Sequence, residues 1–384
     1  MIAKHIEKLA PSGIRQFFDL VLGMPDVISL GVGEPDFISP WRVREKAITA
    51  LEEGQTSYTS NSGLMILRKA LSEHFHKRYG LNYKPENEIL TTFGVSEALD
   101  LAVKTLLRPG DKIIVVSPHY VAYPALPQIN SNKVLFLNTK EKDQFKINPR
   151  DLSALVKQGP KAIILNYPCN PTGVSYTEQE LKAIWKVLSK KEIIVISDEV
   201  YDELSYDGKH IPFACLDALA KERTVLLNGF SKSYAMTGFR SGYACGNEKI
   251  IGAMTKIHSY SALCTSIISQ IASVEALKAQ KEVGQMRSEY KARRNFMVKE
   301  LNRIGLKCHK PEGAFYCFPS IKDFKMKSLD FAKGLLYAEK VAVVPGSAFG
   351  EPYDDHLRMS YANTFDNLKE SIVRMERYIG GRKK

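Results

Sequence analysis

Short apolar runs recur through the middle of the chain, and they constrain its fold more than any other feature of the sequence. Helical patterns separate most of them: one spans residues 62–79 and stops at Gly80, and another spans residues 178–189. The runs are apolar on both faces, which is typical of parallel strands that helices cover on two sides. We therefore predict an α/β fold with a mainly parallel central sheet sandwiched by helices. The predicted strands are KIIVV (112–116), KAIIL (161–165), EIIVIS (192–197), TVLLN (224–228) and GYACG (242–246).

The pattern changes after residue 285. A long charged helical segment at 286–302 is followed by three strand-like runs, AFYCFP, VAVVPG and HLRMSYA, and then by a last helix. This order of elements is typical of an α+β unit. The chain of 384 residues also exceeds the ~250–300 residues at which single hydrophobic cores stop growing. We therefore predict a large domain at 41–285 and a small C-terminal domain at 286–384.

The first forty residues are too few to form a domain of their own. They contain an amphipathic segment at 12–22, and we expect residues 1–40 to form an N-terminal arm and a segment that packs on the small domain. Gly31 and Gly33 follow a strand-like VISL, as in a dinucleotide-binding fingerprint. However, Pro35 would interrupt the turn into a helix, so we predict a loop there.

The net charge of +12 raises the question of a nucleic-acid partner. The basic residues are interleaved with glutamates along helical patterns, and only the C-terminal GGRKK is dense. We therefore expect a solvated basic surface that favours anionic metabolites, and no nucleic-acid partner. The start MIAKHIEKLAPSG lacks the apolar core of a signal peptide, and no apolar run approaches the ~20 residues of a membrane helix. We expect no membrane partner.

The cysteines and histidines indicate neither a disulfide framework nor a metal site. The six cysteines have no CxxC spacing, which in a chain of this length indicates reduced thiols and a cytoplasmic location. His74 and His76 lie two positions apart on a predicted helix, so they face different ways. No carboxylate or cysteine spacing completes a metal site around them, and we expect no metal ion.

Chemically active side chains gather where the predicted strands end. Ligands of open α/β sheets bind outside the carboxyl ends of the strands, so these side chains are candidates for one site. In chain order they are Tyr120 after KIIVVSPH, the NYPCNPTG segment (166–173) after KAIIL, Asp198 and Tyr201 after EIIVIS, and Ser231 and Lys232 after TVLLNGF.

Two further segments complete the set. TTFGVSEAL (91–99) places a glycine and a serine at the start of a helix, where free backbone N–H groups, a hydroxyl and the helix dipole suit an anion. NGFSKSYAMTGFRSGYACG (228–246) holds Lys232 with no other charge until Arg240, although an unpaired buried ammonium is costly. A nucleophilic lysine, an anion cradle, a carboxylate and an arginine at strand ends together match a phosphorylated aldehyde held as a lysine imine.

With these motifs the chain resembles the class I aminotransferases, which are fold type I pyridoxal-phosphate enzymes. Within that family it is most similar to the prokaryotic aspartate and aromatic amino acid aminotransferases. The resemblance covers essentially the whole chain, and the spacing of NPTG, Asp-x-x-Tyr and SKxxxMTGxRxG is highly specific. The motifs that carry it are ISLGVGEPDF, SYTSNSGLMILRKAL, GVSEAL, SPHYVAYP, NYPCNPTG, SDEVYDEL, NGFSKSYAMTGFRSGYACG, GAFYCF, VAVVPGSAFG and LRMSYA.

The resemblance implies pyridoxal 5'-phosphate as the cofactor and assigns roles around its ring. Lys232 would be the catalytic residue, forming a Schiff base with the cofactor and then moving the substrate proton. Asp198 would pair with the pyridine N–H and keep the ring an electron sink. Tyr201 and Asn170 would hydrogen-bond the phenolic oxygen, and Tyr120 would stack on the ring.

The resemblance also implies a phosphate site that two subunits complete. Arginine suits a phosphate dianion better than a point-charge lysine. Tyr58 corresponds to a tyrosine that reaches the phosphate of the neighbouring subunit, which implies a homodimer. The residues of this chain that would hold the phosphate are Gly94, Val95, Ser96, Ser231 and Arg240.

For the substrate, the resemblance implies a fork for the α-carboxylate at Arg358, helped by Asn170 and the backbone of Gly33. Arg358 lies on an alternating strand whose neighbours Leu357 and Met359 face the other way. The implied reaction moves the amino group of an L-amino acid, aspartate or aromatic, to a 2-oxo acid such as 2-oxoglutarate, by a ping-pong mechanism. The resemblance further suggests cis peptide bonds before Pro118 and Pro171.

Substrate choice and two alternatives stay open at this point. Ser96 stands where some prokaryotic aspartate aminotransferases carry a lysine for the distal carboxylate, while nearby aromatic residues would suit an aromatic donor. A C–S lyase would send the same carbanion to β-elimination. A non-catalytic sensor module would need an N-terminal helix-turn-helix, for which the roughly forty preceding residues leave no room. The aromatic residues considered are Phe17, Phe18, Tyr123 and Tyr260.

Overall fold

The computed structural model describes residues 2–7, 9, 21 and 23–381. The predicted amphipathic segment at 12–22, with Phe17 and Phe18, lies outside the described residues except for residue 21. The last three residues of the basic tail also lie outside them.

The described residues form twelve strands that belong to three sheets. The large sheet has seven strands, and the small ones have three and two. The strands are β1 (Ile28–Ser29), β2 (Ile89–Thr92), β3 (Lys112–Ser117), β4 (Lys133–Asn138), β5 (Ala162–Asn166), β6 (Ile194–Asp198), β7 (Thr224–Gly229), β8 (Gly242–Cys245), β9 (Tyr316–Cys317), β10 (Val341–Ala342), β11 (Val344–Pro345) and β12 (Leu357–Ser360).

Thirteen helices form in the described residues, and helices separate most strands of the large sheet along the chain. They are α1 (Lys4–Glu7), α2 (Trp41–Glu52), α3 (Met65–Tyr79), α4 (Gly94–Leu106), α5 (Ala122–Ile129), α6 (Pro149–Val156), α7 (Glu178–Leu188), α8 (Ala218–Glu222), α9 (Glu248–Ser261), α10 (Ile267–Ala276), α11 (Gln280–Arg303), α12 (Ser328–Glu339) and α13 (Phe365–Gly380). Short 3₁₀ turns lie at Glu141–Asp143, Asp202–Leu204, Phe213–Cys215, Thr237–Phe239, Lys322–Phe324, Gly346–Phe349 and Glu351–Tyr353.

The prediction of a mainly parallel α/β sheet is confirmed. The strand order is β2-β8-β7-β6-β5-β3-β4, and β3 to β7 are mutually parallel where they pair. The predicted GYACG strand, β8, differs because it runs antiparallel to both β2 and β7. Alternate residues of one strand enter two hydrophobic clusters, since Ile113 packs with α4 and α9 whereas Ile114 packs with α6 and α7. The sheet is therefore covered on both faces.

The predicted helices form close to their expected bounds. The pattern at 62–79 gives α3, which ends at Gly80 in the left-handed conformation that glycine adopts without a Cβ penalty. The pattern at 178–189 gives α7, whose start is closed by a capping box between Thr177 and Glu180. The Gly31–Gly33 segment is a loop, as predicted.

The C-terminal part contributes β9, β10 and β12 to a second core. β1 pairs in parallel with β10, with Ile28 opposite Val341, so the chain just before residue 31 is anchored to this core. α11 runs through the predicted boundary at residue 286 without a break, and the domain division itself stays a prediction. No helix within the described ranges is long and apolar enough to cross a membrane.

Candidate active site

A cleft of about 430 Å³ opens at the carboxyl ends of β5, β6 and β7, which is where ligands of open α/β sheets bind. Its volume is within the range of small-molecule sites. The cleft brings together most of the residues that the sequence analysis selected. Those that line it are Gly33, Val95, Ser96, Tyr120, Asn170, Asp198, Tyr201, Ser231, Lys232, Arg240 and Arg358.

Lys232 lies just after β7, and its side chain reaches into the cleft. Its Nζ donates a hydrogen bond of 2.6 Å to the carbonyl oxygen of Gly33. Burial lowers the pKa of the Lys232 ammonium to about 8. The carboxylate of Glu34 opposes this shift, whereas the guanidinium groups of Arg358 and Arg240 add to it. The amine is therefore much easier to deprotonate than an ordinary lysine, as a nucleophile and proton carrier requires.

Asp198 ends β6 and is buried where it lines the cleft. Burial raises the pKa of its carboxyl to about 6. The hydroxyl of Tyr123 donates to Asp198 Oδ2 at 2.7 Å, and the backbone N–H of Val200 donates to Oδ1 at 3.2 Å. From the sequence, Tyr123 was named only among the aromatic residues that would suit an aromatic donor. It lies on α5, at no fixed spacing from Asp198, so the sequence carried no signal for this contact.

The start of α4 forms the predicted anion cradle. Gly94 opens the helix with a φ of +71°, and a Cβ at this position would lie 2.8 Å from Nη2 of Arg240. Arg240 is itself in the left-handed region, and its Nη1 donates to the carbonyl oxygen of Thr237 at 3.0 Å. Ser231 lies buried beside the same opening. The guanidinium and the free N–H groups of the helix therefore point to one place.

A contact between the half-buried Glu97 of the cradle helix and the buried His258 was not predicted from the sequence. Glu97 accepts a hydrogen bond of 2.7 Å from the backbone N–H of Phe93 through one carboxylate oxygen. Its other oxygen lies 2.9 Å from Nδ1 of His258 on α9. These two residues are 161 positions apart. Glu97 lies within the GVSEAL motif but had no predicted role, and His258 lies outside the quoted motifs.

Arg358 reaches the cleft from β12 on the opposite side. It is buried, which lowers the pKa of its guanidinium. Nη1 donates to Oδ1 of Asn170 at 3.1 Å, and Nη2 donates to the carbonyl oxygen of Gly31. Its Nε has no hydrogen-bond partner among the described residues. A buried guanidinium with an unused donor beside an open cleft is suited to an external carboxylate.

Two tyrosines connect the sides of the cleft. The hydroxyls of Tyr201 and Tyr316 lie 2.9 Å apart, and both side chains are buried. Tyr316 belongs to the strand-like run AFYCFP, and no role was predicted for it. Tyr120 lines the cleft and contacts Tyr123 edge to face.

Two selected residues lie elsewhere. Tyr58 is 83% exposed and does not line the cleft of its own chain, and Tyr260 is 90% exposed and also lies outside it. The peptide bonds before Pro118 and Pro171 are cis, as the resemblance suggests, and the bond before Pro168 is cis as well.

Known proteins resemble this chain in sequence over its whole length. The family model "Aminotransferase class I and II" matches residues 25–374. An aspartate aminotransferase of Pyrococcus abyssi is 39% identical, with 100% of this chain and 99% of that protein covered. Aromatic-amino-acid aminotransferase 2 of Thermococcus litoralis is 37% identical, again with 100% and 99% covered.

Solved structures agree with the sequence comparison. The aspartate aminotransferase from Thermus thermophilus with maleate superposes with a TM-score of 0.94 at 34% identity, covering 98% of this chain and 99% of that one. The aromatic aminotransferase from Pyrococcus horikoshii gives a TM-score of 0.91 at 39% identity, covering 96% and 99%. The chain therefore belongs to the family of class I and II aminotransferases.

Proposed function

We propose that this aminotransferase works with pyridoxal 5'-phosphate, attached covalently at Lys232. In this proposal it moves the amino group of an L-amino acid to a 2-oxo acid, with 2-oxoglutarate as the acceptor, by a ping-pong mechanism. The observation that carries the proposal is the single cleft in which Lys232, Asp198, Arg240 and Arg358 meet. Neither a C–S lyase nor a sensor module has an observation of its own in its favour.

The cleft offers a matching group for each part of the proposed cofactor. The cradle at Gly94 and the guanidinium of Arg240 suit the phosphate. The buried carboxylate of Asp198 suits a ring N–H. The amine of Lys232, with its pKa lowered to about 8, suits an aldehyde. When bound, the cofactor supplies an electron sink for the carbanion at the substrate Cα.

Proton transfer is then the task of Lys232. Its side chain is enclosed, and its depressed pKa keeps a large fraction of the amine neutral near pH 8. A neutral amine can accept a proton from the substrate Cα and return it to a neighbouring atom. Its present acceptor, the carbonyl of Gly33, shows that the amine can reach across to the side of the cleft that carries Arg358.

Hydrogen bonds from the protein would orient the cofactor ring. Asn170 uses its Oδ1 to accept from Arg358, which leaves its Nδ2 free to donate to the phenolic oxygen. Tyr201 presents its hydroxyl beside the same opening, and Tyr120 lines the cleft where a ring face would lie. Tyr123 and the Val200 N–H hold the carboxylate of Asp198 in a fixed orientation.

Substrate binding would fall to Arg358. Its planar guanidinium matches a carboxylate with two parallel hydrogen bonds, and its Nε is still unpartnered. Because Asn170 already touches Nη1, the same amide can contact the substrate carboxylate. Gly33 lacks a side chain where Tyr316 and Arg358 approach its backbone most closely.

We also propose a homodimer in which Tyr58 reaches the phosphate site of the partner. Tyr58 is almost fully exposed and lies shortly before α3. Large apolar side chains that stay exposed on α2 and α3 support this proposal. Those on α2 and α3 are Trp41, Ile48, Leu51, Met65 and Ile66.

For the donor we propose aspartate or an aromatic amino acid, with the aromatic class preferred. The cations that line the described cleft are Lys232, Arg240 and Arg358, and each already has a proposed task. Ser96 lines the cleft as well, and it offers a hydroxyl but no charge to a second carboxylate. The relatives include both an aspartate and an aromatic-amino-acid aminotransferase.

A donor panel with 2-oxoglutarate tests this proposal. We expect phenylalanine, tyrosine or tryptophan to exceed aspartate in kcat/KM, and Ser96→Lys to raise aspartate relative to phenylalanine by about tenfold. Ser288→Lys, at an exposed serine of α11 outside the cleft, is the matched control and should leave this ratio unchanged. A wild-type preference for aspartate would overturn the donor class. If cysteine, which carries a sulfur leaving group at Cβ, released sulfide, pyruvate and ammonia without an acceptor, the transaminase reaction would be overturned.

A further inference from the structure

Tyr316 contacts two groups to which the proposed function gives separate tasks. Its hydroxyl lies 2.9 Å from the hydroxyl of Tyr201, on the side of the cofactor ring. Its ring lies under the guanidinium of Arg358, with the guanidinium carbon 4.6 Å from the ring centroid. Tyr316 itself lines the cleft and is 1% exposed.

The strand register explains why one side chain reaches both groups. Tyr316 on β9 pairs with Ser360 on β12 in an antiparallel arrangement. Arg358 is two residues from Ser360, so it projects from the same face as Ser360 and diagonally across from Tyr316. This geometry places the ring against the guanidinium, and the length of the phenol carries the hydroxyl onward to Tyr201.

Gly33 confines the Tyr316 hydroxyl from a third direction. A Cβ at Gly33 would lie 2.8 Å from Tyr316 Oη, so a side chain at this position would push the hydroxyl away. The hydroxyl is therefore held between the loop and Tyr201. Among the described residues its hydrogen-bond partner is Tyr201.

We propose that Tyr316 is a positioning residue. Its hydroxyl donates a hydrogen bond to the hydroxyl of Tyr201, so that Tyr201 becomes the hydrogen-bond donor to the phenolic oxygen of the cofactor. The ring of Tyr316 supports Arg358. The proposal rests on the proposed function of the cleft. It concerns residues of this chain, and it predicts a change in the pH titration of the cofactor band, which is measured without turnover.

The direction of the hydrogen bond follows from the surrounding charges. Each tyrosine has one proton to donate, so the hydroxyl of Tyr201 can serve the cofactor only if it accepts from Tyr316. The guanidinium of Arg358 lies against the ring of Tyr316. Its positive charge makes the Tyr316 hydroxyl more acidic than the Tyr201 hydroxyl and therefore the better hydrogen-bond donor. Burial raises the pKa of both phenols, so both stay protonated at neutral pH.

Donation from Tyr316 strengthens donation from Tyr201, because hydrogen bonds in a chain polarise one another. The phenolic oxygen of the bound cofactor would carry negative charge. Both the hydroxyl of Tyr201 and the proton of the cofactor–lysine linkage would stabilise that charge, so they compete for the same oxygen. Weaker donation from Tyr201 therefore lets that linkage hold its proton to a higher pH. The other charged or titratable groups that act on this tyrosine pair are Arg358, Asp198 and Tyr120.

The test is a spectroscopic pH titration of holoenzyme carrying Tyr316→Phe. This variant keeps the ring over Arg358 and removes only the hydroxyl. We expect the pH at which the visible cofactor band is half titrated to rise by about half a pH unit, because Tyr201 loses the hydrogen bond that it accepts from Tyr316. We expect KM for the amino acid to change less than twofold, because the support of Arg358 remains. Tyr361→Phe is the matched control, since it removes a buried hydroxyl that donates to the Ala314 carbonyl in the same core. It should leave the midpoint unchanged.

A double-mutant cycle separates positioning from general destabilisation. Tyr201→Phe should raise the midpoint further than Tyr316→Phe, and adding Tyr316→Phe to Tyr201→Phe should give no additional rise. An unchanged midpoint in Tyr316→Phe, or additive shifts in the double variant, would overturn the proposal. If Tyr316→Phe does not yield folded holoenzyme, Tyr316→His retains a ring beside Arg358 with a shorter reach, and the same upward shift is expected.

The outcomes also distinguish this proposal from the proposed function. If the wild-type chain develops no visible band with pyridoxal 5'-phosphate, the function of the cleft is wrong and the Tyr316 proposal fails with it. If the band forms and titrates but does not respond to Tyr316, the function of the cleft stands and only the positioning role is wrong.

Discussion

The amine of Lys232 donates a 2.6 Å hydrogen bond to the carbonyl oxygen of Gly33. Lys232 follows a strand of the large sheet, whereas Gly33 belongs to the loop that follows β1 and passes beside Arg358. The contact explains how a lone lysine is accommodated among apolar neighbours: its ammonium has an acceptor, and burial makes it easy to deprotonate. The same lysine is thus held in the cleft with its amine available for chemistry.

Gly94→Ala should impair cofactor binding specifically. The new Cβ would lie 2.8 Å from Arg240 Nη2, at a φ of +71°. Gly80→Ala is a matched control, because its φ is +70° and nothing lies within 4 Å of the added atom. Both variants should lose about 1 kcal/mol of stability from backbone strain. Only Gly94→Ala should raise the cofactor Kd, by about tenfold or more, in a fluorescence titration. Equal Kd values for the two variants would contradict the cradle.

Asp198 should make the stability of the apoprotein depend on pH in an unusual direction. Its pKa rises from 3.8 to about 6 on folding, so the folded state binds more protons than the unfolded state between these values. The stability that this group contributes is fully present below pH 3.8 and is lost as the pH rises through about 6. Asp198→Asn cannot ionise and should not show this loss.

Chemical denaturation of the two apoproteins measures this effect. Between pH 4 and pH 7 the free energy of unfolding of Asp198→Asn should rise by about 3 kcal/mol relative to wild type. The variant should nevertheless lose at least about 100-fold in kcat, because an amide cannot hold the ring nitrogen protonated. A difference in unfolding free energy that does not vary with pH would show that Asp198 is not buried as a free carboxyl.

Arg358→Lys should weaken substrate binding while leaving the cofactor in place. A lysine keeps the positive charge but cannot form the two parallel hydrogen bonds of a guanidinium. We expect kcat/KM to fall about 100-fold for every amino acid and oxo acid, mainly through KM, with an unchanged visible band. Arg303→Lys, at an exposed ion pair with Glu376, should leave the kinetics unchanged. Loss of the visible band in Arg358→Lys would argue that the arginine serves the cofactor instead.

Hybrid dimers test the proposed role of Tyr58. A subunit with Lys232→Ala is inactive, and a subunit with Tyr58→Phe should give its partner a weakened phosphate site. In the hybrid, the site that keeps Lys232 receives an intact Tyr58 from the other subunit. Its activity should therefore be about half that of the wild-type dimer. A hybrid with half the activity of the Tyr58→Phe homodimer would show that each site is complete within one chain.

The residues of the cleft that could be predicted are those tied to the ends of strands. Asp198 ends β6, and Lys232 follows β7 after two residues, so the apolar runs alone located them. Parallel strands bring their carboxyl ends to one edge, which makes neighbours of residues far apart in sequence. Gly94 was predictable for a related reason, since a glycine at a helix start indicates an anion site.

The residues that could not be predicted reach the cleft through packing. Tyr123 projects from a helix and Tyr316 from a strand of the second core, and neither has a fixed spacing to its partner. The contact of Glu97 with His258 likewise depends on how α9 packs on α4. The antiparallel direction of β8 was also missed, because an apolar run does not reveal the direction of a strand.

The most direct measurement of the central claim is a single half-reaction followed by absorbance, with wild type and Lys232→Ala side by side. Wild-type holoenzyme given an amino acid without an acceptor should lose its visible band and release one oxo acid per site, and 2-oxoglutarate should restore the band. Lys232→Ala should bind the cofactor without that band and turn over at least about 10⁴-fold more slowly, whereas Lys299→Ala, an exposed lysine, should behave as wild type. A Lys232→Ala protein that keeps the band and the wild-type rate would contradict the account.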